Sequence, residues 1–242
     1  EATKYCEWVA KDTVTTITLT ANWSANQYMV AYNANGGSVS MPEFRQAYDD
    51  KYGTLEVPLR NGYDFDGWYD EDGASVTKDT IYKFTRDTTL TAHWSAKTGY
   101  AINYLTYGGT DMPTKTNGAW TNKILADITT PTKNGYDFTG WKHNGNTINN
   151  DTTYGDAAVN DQFASITIAA TWEMKDDYTI TFETDGGSVV PTKTGVKWTD
   201  KVLADVTAPT KTGYDFVEWQ YQGEAVTADN TYADLVGVDT VM

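Results

Sequence analysis

Residues 61–68, NGYDFDGW, return as NGYDFTGW at 134–141 and as TGYDFVEW at 212–219. Along an extended strand, successive side chains alternate between faces, so Tyr63 and Phe65 share a face and Trp68 falls on the other. A β-bulge would reset that parity, and Gly67 and Gly140 stand where one forms most easily. Glu218 holds that place in the third phrase, so glycine there is helpful rather than obligatory. Pro58, Pro131 and Pro209 precede the phrases and break regular structure before them. The recurring tyrosine, phenylalanine and tryptophan read as the apolar filling of a small unit copied in tandem.

The copying extends beyond the phrase. A shift of 78 positions, the separation of Trp120 from Trp198, also superimposes Tyr100 on Tyr178, Pro113 on Pro191, Lys123 on Lys201, Trp141 on Trp219 and Tyr154 on Tyr232 without a gap. An earlier copy has slightly different spacing, with Gly62 lying 73 positions before Gly135. Each copy opens with an alternating strand at residues 27–34, 99–106 or 177–184 and runs into Gly36-Gly37, Gly108-Gly109 or Gly186-Gly187. Glycine reaches positive φ without a Cβ clash, so the chain reverses or bulges there. The variable stretches that begin at Trp120 and Trp198 can start a short helix capped by Thr121 or Thr199, or can run as strands. Asp72-Gly73, Asn144-Gly145 and Gln222-Gly223 follow as hairpin signals. Closing strands at 89–94 and 165–172 place Leu90 with Ala92, and Ile166 with Ile168, on one face to complete the sheet.

Units of 73 to 78 residues can enclose their own core, unlike solenoid repeats that rely on neighbours. The division expected is 1–24 as the end of a preceding repeat, 25–95 as repeat one, 96–173 as repeat two, and 174–242 as repeat three without its closing strand. Connections of a few residues, free of Gly-Ser or Pro tracts, make beads in series forming a short rod.

Composition removes several function classes. The net charge of -15 opposes a phosphate backbone or an anionic membrane surface, so no nucleic-acid partner is expected. No apolar run approaches the ~20 residues of a membrane helix, so no membrane insertion is expected in this segment. Cys6 is the one cysteine, a small apolar residue that allows no internal disulfide. His93 and His143 occupy unrelated places in different copies, so neither a metal cluster nor a catalytic triad assembles, and no cofactor is expected. The acidic run Asp70-Glu71-Asp72-Gly73 lacks the ligand ladder of a calcium loop and reads as a solvated hairpin tip.

Taken in order, Tyr32-Asn-Ala-Asn-Gly-Gly37, the NGYDFDGW phrase and Leu90-Thr-Ala-His-Trp94 resemble the Listeria–Bacteroides repeat, also called the internalin B-type B repeat, over about nine tenths of the chain. Tyr107 stands where that family has asparagine before Gly-Gly, and Glu218 where it has glycine. The resemblance implies a mainly β, α+β architecture of tandem β-grasp-like, ubiquitin- or SUMO-like domains. It further implies an extracellular setting, on the bacterial cell surface or secreted, and a role as stalk or spacer and as an adhesive protein-contact module toward a host or bacterial surface protein. Enzymatic activity is not a property of the family.

Nine Trp and 17 Tyr also fit a carbohydrate-binding module with stacking platforms. Tyr48, Trp120 and Trp198, at matching places in the three copies, are the candidates for exposed partner or glycan contact. The chain ends suggest a further alternative. Residues 5–23, YCEWVAKDTVTTITLTANW, resemble only the last part of a repeat, and the third repeat lacks that strand. A strand carrying Ile17 and Leu19 could therefore complete the sheet of another copy, making a head-to-tail filament by strand addition.

Overall fold

The computed structural model describes residues 16–238; Cys6 and residues 5–15 of the N-terminal segment lie outside them. The protein is mostly β, in small sheets. Strands β1 (Gln27–Asn33), β2 (Glu43–Ala47), β3 (Tyr63–Tyr69), β4 (Ser75–Val76) and β5 (Thr88–Ala96) form one sheet, in the order β2-β1-β5-β3-β4. A second sheet repeats the plan with β6 (Tyr100–Leu105), β7 (Lys115–Gly118), β8 (Tyr136–His143), β9 (Asn146–Ile148) and β10 (Ser165–Met174), ordered β7-β6-β10-β8-β9. The closing strand thus lies at the sheet's centre and pairs parallel with the opening strand, Tyr32 facing Leu90 and Ile102 facing Ile166. Its alternation explains the place: Leu90, Ala92 and Ile168 are wholly buried, and Ala170 nearly so.

The bulge occurs where the glycines allow it. In the β8–β10 ladder Thr171 faces Gly140 and Trp172 faces Phe138, so Thr139 is skipped. Gly67 and Gly140 take φ of 137° and 138°, which brings Phe65 with Trp68, and Phe138 with Trp141, onto one core as T-shaped pairs 5.4 Å apart. Glu218 does not adopt positive φ, and β13 (Trp219–Tyr221) begins only after it. The tyrosine of the phrase departs from the expectation that all three aromatics fill their own unit. Tyr63 packs on the cluster of Tyr100 and Trp120, and Tyr136 on that of Tyr178 and Trp198.

The Gly-Gly pairs have two separate duties. Asn35 and Gly36 both take positive φ, and the Gly37 N–H closes the turn on the Ala34 carbonyl at 3.0 Å. A Cβ on Gly37 would sit 2.6 Å from the Trp94 ring, and one on Gly109 2.5 Å from Trp172. Those indoles donate back into the turns, Trp94 Nε1 to Ala34 O at 3.0 Å and Trp172 Nε1 to Thr106 O at 2.9 Å.

No helix starts at Thr121 or Thr199; both lead into turns. Among the described residues the helices are α1 (Tyr154–Ala158) and α2 (Tyr232–Val236), capped by Thr153 and Thr231 in reciprocal boxes with Asp156 and Asp234. The backbone N–H of each cap threonine holds its aspartate's pKa below the usual carboxylate value. A Thr-x-x-Asp signal outweighs a threonine without a partner.

Among the described residues the third repeat has the outer pairs of the plan. β11 (Tyr178–Ile180) pairs with β12 (Lys193–Val196), and β13 with β14 (Glu224–Val226), as separate two-stranded sheets. By contact the molecule divides into two units, one holding the described residues to Arg60 with Phe65–Ser95, the other Asn61–Asp64 with the described residues from Ala96 onward.

Tyr107, before Gly108, sits at φ 50° with its ring exposed. The left-handed region costs a bulky residue about 1–2 kcal/mol, less for asparagine. Tyr107→Asn should therefore raise the stability of the second repeat by up to ~1 kcal/mol in denaturant titration, with hydrogen exchange at β10 slowed and at β5 unchanged.

Candidate interaction site

In the second unit, the Gly-Tyr half of the phrase is an acceptor for an indole. Gly135 is buried at φ 75°, and a Cβ there would fall 2.0 Å from Cγ of Trp198. The Lys175 N–H donates to the Gly135 carbonyl at 3.0 Å, while Tyr136 lies against Trp198's cluster. Asn61–Asp64 of the same unit repeat the arrangement. A Cβ on Gly62 would fall 2.1 Å from Trp120, the Lys97 N–H donates to Gly62 O at 2.9 Å, and the Trp120 N–H donates to Lys97 O at 2.9 Å. Only a residue without a side chain lets the backbone approach an indole so closely.

Polar contacts fix the Asn61 turn further. Asn61 Nδ2 donates to Val159 O at 2.9 Å, and Asn61 Oδ1 accepts from the Asp161 N–H at 3.0 Å. Lys97 forms an ion pair with Asp161, with side chains 35% and 23% exposed, the most enclosed pair on both sides among those described. The hydrogen bond from Lys97 holds the Asp161 carboxyl below its ordinary value and raises the Lys97 ammonium.

The sequence candidates divide between buried and open positions. Trp120 and Trp198, expected to be exposed, retain only 9% and 8% of their accessible surface because each covers a glycine. This corrects the expectation that they face solvent. Tyr48 is exposed at 37%, with the Lys83 ammonium 5.8 Å from its ring centre. Its N–H donates to Asn26 O at 2.9 Å, the counterpart of the Trp120 bond to Lys97. On the third repeat, Gly213 is exposed with no atom within 4 Å of a Cβ, and Tyr214 is 70% exposed. Gly62, Gly135 and their tyrosines were not singled out as contact residues in the sequence. The available signal was that glycine and indole recur together.

The third repeat also has two open hollows. One is bordered by Ile180, Phe182, Leu203, Trp219 and Val226. The other is lined by Thr184, Gly187, Thr210, Lys211 and Phe216. Ile17, Leu19 and Trp23 of the N-terminal segment are 48%, 81% and 89% exposed.

The remaining polar candidates serve local structure. The His93 ring stacks on Tyr69 with centres 3.9 Å apart, and His143 Nδ1 lies 2.8 Å from Thr167 O. Asp70 Oδ1 accepts the N–H groups of Asp72 and Ala74, and Glu71 pairs with Arg86 at 2.7 Å. Among the described residues no three His, Cys, Asp or Glu side chains gather around a common point.

The sequence model of the Listeria–Bacteroides repeat domain matches residues 28–93, 100–168 and 178–238. The chain belongs to the Listeria–Bacteroides repeat family. The chain is similar to two proteins of Evansella cellulosilytica. One bears the name of a Gly-rich membrane protein and is 30% identical over 219 residues, covering 86% of this chain. The other, named as a membrane protein, is 26% identical over 220 residues, covering 87%. This chain spans 23% of the length of the first and 30% of the second. Among the described residues no helix is long and apolar enough to cross a membrane.

Gly135→Val should displace Trp198 and shift tryptophan emission to the red, whereas Gly213→Ala, strained but uncrowded, should leave emission unchanged. The Asp161 pair should also give the Asn61 turn an acid limit. Because the folded carboxyl has the lower pKa, its contribution is complete above the unfolded value of ~3.9 and fades as pH falls through the folded value. Asp161→Asn should remove that part of the acid transition when unfolding is followed against pH.

Proposed function

We propose that this chain is a non-enzymatic tandem-repeat segment of a bacterial cell-surface or secreted protein, acting as a stalk or spacer and as a protein-contact, adhesive module. The observation that carries the reading is the Gly135–Trp198 junction. The second repeat offers a bare glycine, the third covers it with an indole, and a main-chain hydrogen bond from Lys175 closes the seam. A spacer needs such a joint, because a free linker would let successive modules swing. Relatives named as membrane proteins support a place at the cell envelope, as does the family's occurrence in surface proteins. Each complete repeat is β-grasp-like on this reading: first and last strands lie parallel at the centre of a mixed sheet, with hairpin partners outside.

Dyes placed on the exposed hairpin tips at Asn144 and Gln222 test the joint by single-molecule energy transfer. A narrow distance distribution in the native chain, broadened by Gly135→Val, is the expected result. A distribution as broad in the native chain as in the variant would remove the spacer reading.

A further inference from the structure

We propose that each of the first two repeats is a mechanical clamp, built to bear tension applied along the chain. The inference rests on the spacer reading for its use, since a spacer transmits any pull between its two ends. Its claim concerns rupture force, on which the spacer reading is silent.

The direction of strand pairing carries the inference. Tension enters a repeat at the start of its opening strand and leaves at the end of its closing strand. Those two strands are neighbours and run parallel, residues 30–33 facing 88–91 in the first repeat and 101–105 facing 165–169 in the second. Entry and exit therefore lie at opposite ends of one ladder. A pull between them slides one strand along the other and loads every hydrogen bond of the ladder together. In an antiparallel pair the entry and exit would share an end, and the bonds would break one at a time. Forced unfolding is governed by the unfolding rate rather than by equilibrium stability, so this arrangement counts for more than the number of bonds.

The strand that takes the load is also held on its other flank. In the second repeat residues 169–174 pair antiparallel with 136–142, and in the first β3 lies beside β5. A closing strand at the sheet's edge could peel away, whereas this one must slide between two neighbours. Leu90, Ala92 and Ile168 are wholly buried, so sliding also drags apolar side chains out of the core.

Side chains lengthen the ladder at both ends. In the first repeat Asp87 Oδ1 accepts from the Met29 N–H at 2.8 Å, one step before the first backbone pair and nearest to where tension enters. Past the last pair, Asn35 Nδ2 donates to Ala92 O at 3.0 Å and Trp94 Nε1 to Ala34 O at 3.0 Å. In the second repeat the Ala101 N–H donates to Ala164 O at 2.9 Å, and Trp172 Nε1 to Thr106 O at 2.9 Å. The Trp172 ring is wedged against Gly109, where a Cβ would sit 2.5 Å away. Each of these side-chain bonds joins residues 57 to 66 positions apart, so each ties the first strand of a repeat to its last rather than closing a local turn.

Single-molecule force spectroscopy on the whole chain, held by handle proteins fused to its two ends, tests the clamp. Each of the first two repeats should unfold in one step that releases on the order of 250 Å of chain, at ~3.3–3.6 Å per residue. The force should be several-fold above that needed when handles are attached through Thr98→Cys and Ser165→Cys in a Cys6→Ala background. Both sites are exposed and stand beside the same end of the second ladder, so that pull opens it bond by bond. Asp87→Ala, at an exposed residue, should lower the force of one of the two steps. Trp172→Phe, which keeps a ring and loses the N–H donor, should lower the other, and the double variant should lower both. Equal forces in the two pulling directions would overturn the proposal, as would single variants that leave both steps unchanged. Weak steps in a chain whose energy-transfer distribution is narrow remove the clamp and leave the spacer; strong steps with a broad distribution keep the clamp and remove the spacer.

Discussion

The structure depends on where each repeat puts its last strand. A closing strand laid at the sheet's edge could be lost with little consequence for the rest. Laid between the opening strand and the GYDF strand, it supplies Leu90 and Ala92, or Ile166, Ile168 and Ala170, to the middle of the core, and its tryptophan plugs the Gly-Gly turn. The described residues of the third repeat differ at this track. With no strand in the track among the described residues, Trp219 and Tyr232 are only partly covered, while Trp141 and Tyr154 retain 3% and 2% of their surface. Phe216 is 41% exposed where Phe138 is half-buried.

Within the second unit this placement couples the completion of the second repeat to the start of the third. The polypeptide leaves the centre of one sheet and, within a few residues, Lys97 or Lys175 bonds back to the glycine carbonyl of the phrase just passed. The indole that follows then covers that glycine. The eight-residue phrase therefore has two halves with different duties. Phenylalanine and tryptophan, brought to one face by the glycine bulge, fill the core of their own repeat, while glycine and tyrosine receive the repeat that follows. Two cores of the second unit constrain the phrase at 134–141 at once, whereas Gly213 of the third phrase meets no neighbour.

Much of this was legible in the sequence because it is local. Period-two alternation marked the strands, Asn144-Gly145 marked a two-residue hairpin loop that joins His143 to Asn146, and the glycine at position 67 or 140 marked the bulge. Nonlocal facts were not legible. Nothing in 165–172 announces a central, parallel place rather than an edge, because both neighbours lie tens of residues away. Trp120 and Trp198 looked open because their cover belongs to the preceding phrase. The helices at Tyr154 and Tyr232 carry the Thr-x-x-Asp signal, whereas the threonines at 121 and 199 have no reciprocal acid.

Residue-resolved amide hydrogen exchange measures the central claim most directly, because it ranks each strand by what opening it costs. The slowest amides should be those of the closing strands, at Leu90–Ala92 and Ile166–Ala170, while the matching rails of the third repeat, at 181–183 and 216–218, should exchange close to unstructured rates. Protection of those rails equal to that of the second repeat, or closing strands that exchange as fast as the outer hairpins, would contradict it.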